Sequence, residues 1–227
     1  MKKIDIHNVH KDCLDYLLKY QIDHKNFYFV PRKRNNKNRL EEGMYFIGND
    51  EYLQITFWEG SDSKEKIYNI ALVINNKMET FIEMSCRDNE ERAVYTNNLA
   101  IVLSVETSRK FDLIKENKWR CYYPTGTAYL NALSDFIMKV KPIVDDYLLK
   151  NTASGITLAS KETDDEYVKK LPGYIAFFEA VSKAKKTGEI VAKASEYIMT
   201  FQHNQLSNEL ETYLKHSEYS KDRKSVV

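Results

Sequence analysis

Four short runs rich in aromatic and β-branched residues, each closed by turn-forming residues, constrain this chain more than any other feature. They are Met44–Ile47, Tyr52–Trp58, Tyr68–Ile74 and Thr80–Met84, and the separators are Gly48-Asn49-Asp50, Gly60-Ser61-Asp62-Ser63 and Asn75-Asn76-Lys77. Side chains of this kind pack well on a pleated surface, and runs this short cannot complete a helix of ordinary length. The economical reading is a series of strands joined mostly as antiparallel hairpins. Asn75 and Asn76 tolerate a left-handed backbone, which predicts a tight turn before Thr80. A further strand pair is expected at Lys110–Ile114 and Lys118–Tyr122, turning at Glu116-Asn117, for a sheet of four to six strands.

Helical spacing flanks this region. Val9, Cys13, Tyr16, Leu17 and Tyr20 recur at three- and four-residue intervals and predict a short amphipathic helix ahead of the strands. Asp88-Asn89-Glu90-Glu91 reads as a helix start with Asp88 as N-cap, and Val94, Leu99 and Val102 are its expected buried side. From Thr127 to Lys150 the stripe Tyr129, Leu133, Phe136, Val140, Val144 and Tyr147 predicts the clearest helix, kinked or restarted at Pro142. The expected class is therefore α+β: an N-terminal helix, a mostly antiparallel aromatic-rich sheet, then helices. The small polar segment Asn151–Gly155 is the expected boundary between a domain of residues 1–150 and a small helical region of residues 151–227.

Charge is balanced in total, with 34 basic against 33 acidic side chains, but not in distribution. Pro31–Arg39, PRKRNNKNR, packs five cations and no acid into nine residues, whereas Gly43–Gly60 has acids and no base. Three widely separated cysteines, Cys13, Cys86 and Cys121, fit a reducing, cytoplasmic setting better than a disulfide scaffold. No apolar run approaches the length of a membrane span, and the N-terminus lacks the apolar core of a signal peptide, so no membrane partner is expected.

The residues argue against chemistry in this chain alone. There is no His-Glu-x-x-His pair, no phosphate-binding glycine loop and no Gly-x-Ser-x-Gly elbow, and only seven glycines to build one. His7 and His10 stand three apart without a clustered third ligand, so no metal site and no cofactor are assigned. The nearest approach to a metal-dependent nuclease is Glu83 on a strand with Asp62 or Glu65 on a loop, and no lysine stands two residues beyond Glu83. No catalytic residue is assigned.

Binding is the stronger reading. Arg32, Lys33, Arg34, Lys37 and Arg39 can neutralise phosphates, while Asn35 and Asn36 offer paired donors and acceptors to phosphates or base edges. Tyr45 and Trp58 lie in the neighbouring aromatic runs and supply rings that stack on exposed bases. Lys64, Trp119 and Arg120 repeat the combination of cation and indole and extend the expected nucleic-acid surface. The competing account of the basic run is a solvated loop.

The order PRKRNNKNRLEEGMYFIGNDEYLQITFW followed by KIYNIALVI resembles the amino-terminal specificity regions of some bacterial restriction and defence proteins, including those of methyl-directed restriction GTPases. The likeness extends over residues 27–149 at most. It implies a DNA-binding module that sometimes reads a modified base and leaves cleavage or nucleotide hydrolysis to a nuclease or NTPase partner, or to a further domain. HNQLSNELETYLKHSEYSKDRKSVV is similar to the way restriction-endonuclease-like domains begin, which implies either a fragment leading into a C-terminal domain beyond Val227 or an accessory protein whose catalytic part lies elsewhere.

The expectation is thus a DNA-binding specificity module of a bacterial defence system, non-catalytic alone. The alternatives are a divalent-metal-dependent nuclease using Glu83, and a protein-interaction module docking through the helices expected from Asp164 onward.

Overall fold

The computed structural model describes residues 4–24, 26–32, 39, 42–59, 68–86, 90–151 and 156–160. The helices expected beyond Asp164 lie outside the described residues. Contacts group residues 1–17 and 28–164 into one compact unit and residues 18–27 and 165–227 into another. In the second unit the described residues form a small aromatic knot, with Tyr20 stacked on His24 at 3.8 Å and edge-on to Phe27 at 4.7 Å.

Helix α1 runs Ile6–Asp23, three residues earlier than the apolar spacing alone predicts. The reason is Asp5, whose side chain accepts the His7 N–H at 3.0 Å and the Asn8 amide at 3.2 Å and so caps the first turn. Ile6, Val9, His10, Cys13, Leu14 and Leu17 form its buried stripe.

The fold is α+β, with a helix first, then a mostly antiparallel sheet beside an aromatic cluster, then helices. The strands are β1 (Ile47–Asn49), β2 (Tyr52–Ile55), β3 (Trp58–Glu59), β4 (Tyr68–Asn75), β5 (Thr80–Cys86), β6 (Asp112–Lys115), β7 (Lys118–Tyr122) and β8 (Thr157–Leu158). Six of them make one sheet in the order β1-β2-β4-β5-β7-β6, with every neighbouring pair antiparallel. β3 pairs with β8, and the Ala159 N–H donates to the Phe57 carbonyl at 2.9 Å. The chain therefore still pairs with the first unit after the boundary expected at Asn151–Gly155.

Several strand expectations are corrected in detail. Met44–Phe46 is not strand, because its backbone groups are spent on scattered partners: the Phe46 N–H donates to His10 Nδ1 at 3.2 Å, the Met44 carbonyl accepts Arg32 Nε at 2.8 Å and the Met44 N–H donates to the Arg39 carbonyl at 2.8 Å. The Tyr52–Trp58 run breaks at Thr56, which bridges to Val30, and Trp58 leaves the large sheet for β8. At the β4–β5 hairpin the left-handed residue is Met78 (φ 67°) and not Asn75 or Asn76. Asn75 acts through its side chain, accepting the N–H groups of Lys77 and Glu79 at 3.0 Å each. The turn at Glu116-Asn117 forms as expected, with Asn117 left-handed at φ 57°. Gly48 answers a close approach: a Cβ there would lie 2.1 Å from the Tyr52 carbonyl oxygen, at φ 146°.

Helix α2 (Glu90–Thr107) turns Thr96, Leu99, Ala100 and Leu103 inward. Val94, expected on its buried side, is 56% exposed, since the true stripe begins two residues later. The expected Thr127–Lys150 helix appears as α3 (Tyr129–Asp135), a π-helical turn (Phe136–Val140) and α4 (Lys141–Lys150). Pro142, in the first turn of α4, brings no N–H to the ladder, and the wider turn ahead of it accommodates its ring without ending the stripe. Leu133, Phe136, Val140, Val144 and Leu148 are all buried.

Candidate nucleic-acid interface

Residues directly opposite one another in an antiparallel sheet share a face, so the register sorts the side chains. One face carries the rows Leu53–Ile74–Thr80 and Ile55–Leu72–Ile82–Cys121, together with Ile70–Met84–Trp119. Nearly all of these are buried, and the Trp119 indole N–H donates to Asn97 Oδ1 on α2 at 2.8 Å. This is the helix-facing core.

The other face carries Tyr52–Asn75, Gln54–Val73–Phe81–Tyr122, Ala71–Glu83–Arg120–Asp112 and Ser85–Lys118. Glu83 is only 4% exposed there. Its two oxygens are held by separate cations, Oε1 by Lys118 Nζ at 2.8 Å and Oε2 by Arg120 Nε at 2.7 Å. Arg120 also donates from Nη1 to the Tyr122 hydroxyl at 3.1 Å, and its guanidinium lies 4.4 Å over the centre of the Phe81 ring. Burial opposes the Arg120 charge, while the hydrogen bonds to Tyr122 and Glu83 hold its pKa above the ordinary arginine range.

A cavity of about 440 Å³ opens on this face. Val73, Gln54, Phe81 and Glu83 line it together with Lys118, Arg120 and Tyr52, and the β4–β5 turn contributes Asn75, Asn76, Lys77 and Glu79. Gln54 is 8% exposed, and its side-chain oxygen meets no hydrogen-bond donor among the described residues. The site thus combines a buried amide with spare capacity, a neutralised carboxylate and an arginine packed on an aromatic ring.

Few of the residues expected from sequence meet here. Arg120 lines the cavity, but Trp119, its neighbour along β7, faces the helices because adjacent strand residues alternate. Trp58 is corrected from a stacking surface to a core residue: its ring is 1% exposed, lies edge-on to Phe57 and Phe136, and its indole N–H donates to Asp145 Oδ1 at 2.8 Å. Arg32 braces its own chain, donating to the carbonyls of Met44 at 2.8 Å and Gly48 at 2.9 Å. Arg39 is likewise engaged, with Glu42 and Asp50 both at 3.0 Å. Tyr45 is half-buried, and burial together with the nearby Asp15 charge raises its hydroxyl pKa. Lys33, Arg34, Asn35, Asn36, Lys37 and Lys64 lie outside the described residues, as do Asp62 and Glu65.

Gln54 and Phe81 were missed as site residues, although a polar residue within Leu53-Gln54-Ile55 is a signal for the second face of a strand. Glu83 interrupts Phe81-Ile82-Met84 in the same way. As the partner of two cations it cannot take up a divalent ion without losing two ion pairs, and among the described residues no group of three His, Cys, Asp or Glu side chains is placed to hold a metal. Among the described residues no helix is long and apolar enough to cross a membrane.

No protein-family model matches this sequence, and neither a curated protein nor a solved structure matches it.

Proposed function

We propose that this chain is a DNA-binding module without catalytic machinery of its own, and that it receives part of its ligand in the cavity on the polar face of the sheet. The observation that carries the reading is that cavity of about 440 Å³, in which Gln54, Arg120 and Lys118 converge beside Phe81. Its volume is in the range of small-ligand sites. It suits an unpaired or extruded nucleotide, whose base needs a polar edge partner and a flat surface. The guanidinium of Arg120, backed by Phe81, offers such a surface.

Charge around the cavity is balanced, since Glu51, Glu79 and Glu83 oppose Lys77, Lys118 and Arg120. Phosphate attraction therefore falls to Lys33, Arg34 and Lys37 of the basic run, because Arg32 and Arg39 are committed to the chain itself. A DNA ligand implies a cytoplasmic setting, with which the three free thiols agree. The defence-system setting, the reading of a modified base and a nuclease or NTPase partner rest on the residue-order resemblance alone.

Titration of the full chain with fluorescent single- and double-stranded oligonucleotides at about 50 and about 200 mM salt tests the proposal. Three neutralised phosphates predict an affinity loss between those salts of roughly 40-fold for duplex and roughly 20-fold for single strands. The combined Lys33→Gln, Arg34→Gln and Lys37→Gln variant should bind more weakly and lose most of that salt dependence. Failure of the unmodified chain to bind any oligonucleotide at the lower salt refutes the proposal.

A further inference from the structure

We propose that β6, the open edge of the sheet, pairs antiparallel with β6 of a second copy of this chain, so that a two-fold axis joins the two sheets into one. The proposal goes beyond the DNA-binding reading and does not depend on it.

The two edges of the sheet differ. Beside β1 the Gly48 carbonyl accepts Arg32 Nη2 at 2.9 Å and the Arg32 N–H donates to the Tyr45 carbonyl at 2.8 Å, so the chain itself covers that edge. β6 ends the strand order, and among the described residues no strand lies beyond it. Sheet edges left to solvent are normally blunted by charge. Here the edge strand instead shows Leu113, 55% exposed, and Ile114, 46% exposed.

The sequence Asp112-Leu113-Ile114-Lys115 selects a second copy as the partner. Laid antiparallel on itself about its centre, it sets Asp112 opposite Lys115 and Leu113 opposite Ile114, each pair formed twice. Residues directly opposite share a face, whereas in a regular strand Asp112 and Lys115 would point to different faces. The bulge in β6 removes that conflict. Asp112 stands opposite Arg120 and Lys115 opposite Lys118, both on the polar face, while the register skips Ile114 and leaves it with Leu113 against Trp119. Acid and base therefore meet on the polar face, and the apolar pair is left to the helix-facing one. Asp112 also holds Lys110 Nζ at 2.6 Å, an exposed pair that the partner's Lys115 can join without burying a charge. The two-fold keeps both polar faces on the same side of the joined sheet.

Sedimentation of the full chain over a concentration series reaching roughly 100 μM, where an interface of modest area still associates, tests the proposal. The unmodified chain should pass from monomer to dimer as concentration rises. Asp112→Lys sets lysine against lysine at both ends of the pairing and should raise the dissociation constant roughly tenfold or more. The exchange of Asp112→Lys together with Lys115→Asp should restore it. Ile114→Lys should leave a monomer, and thermal unfolding of each variant is recorded beside its mass. A single-chain mass of the unmodified protein at every concentration overturns the proposal. So does a dimer that survives in folded Asp112→Lys and Ile114→Lys proteins, which would move the contact elsewhere, to a surface such as the exposed Val94, Ile101 and Val105 of α2. A double exchange that dimerises no better than Asp112→Lys overturns the register and the proposal with it.

Discussion

Glu83 on β5 and Arg120 on β7 stand directly opposite in the sheet, and their side chains meet at 2.7 Å in a carboxylate that is almost wholly buried. The pair, with Lys118, sets the floor of the cavity and keeps the guanidinium over Phe81. A buried carboxylate with two cations depends on both, since losing one side of such an arrangement strands charge in a poor solvent.

Glu83→Gln should destabilise the chain by about 3 kcal/mol, because Lys118 and Arg120 lose their countercharge while their positions stay partly covered. Chemical denaturation at neutral pH checks this. A change below about 0.5 kcal/mol would mean that the ion pairs contribute no more than surface pairs do.

Trp58 tests the division between core and site. Trp58→Phe keeps a ring against Phe57 and Phe136 but removes the hydrogen bond to Asp145, so a loss of about 1–2 kcal/mol is expected. Oligonucleotide affinity, measured under conditions where the variant is fully folded, should not change. A tenfold weaker complex would return Trp58 to the binding surface.

His10 gives a pH signature. It is fully buried, stacked on Phe46, and its Nδ1 accepts the Phe46 N–H, which requires that nitrogen to be unprotonated. Burial first, then the charges of Arg32 and His7, lower its pKa from 6.5 to about 3. The unfolded chain therefore binds a proton that the folded chain refuses between those values. Stability should be full above pH 6.5 and fall as pH drops towards 3, at up to about 1.4 kcal/mol per pH unit from this group. Denaturation midpoints at pH 7 and pH 5 measure it. His10→Gln, which retains an acceptor for Phe46, should show a flatter profile over that window.

Much of the fold was legible because periodicity reports burial. The stripe from Leu133 to Val144 follows directly from helical spacing, whereas the strand pair around Glu116-Asn117 is marked by its turn residues, with Leu113 and Ile114 of β6 both exposed. Hydrogen bonds made by distant side chains were not legible: nothing local in Met44-Tyr45-Phe46 announces that His10 and Arg32 satisfy its backbone. The start of α1 was missed because Asp5 precedes the apolar run that it caps. The site was less legible still. Local composition marked Arg32, Arg39 and Trp58, but their commitments depend on Gly48, Asp50 and Asp145, partners that only the fold brings within reach. Gln54 and Glu83 carried a weaker signal, one polar residue inside each strand, which acquires meaning only when the register sets them on one face with Arg120.

Reception of nucleic acid on the polar face of the sheet, as proposed, can be followed residue by residue. Backbone amide shifts of the isotope-labelled full chain, followed while an adenine-containing single strand is added, test it most directly. Progressive shifts are expected to centre on Gln54, Phe81, Lys118 and Arg120, with Ile82 on the opposite face and Leu99 and Leu103 of α2 little changed. Shifts centred on the α2 side of the sheet, with the Gln54 and Arg120 amides unmoved, would contradict it.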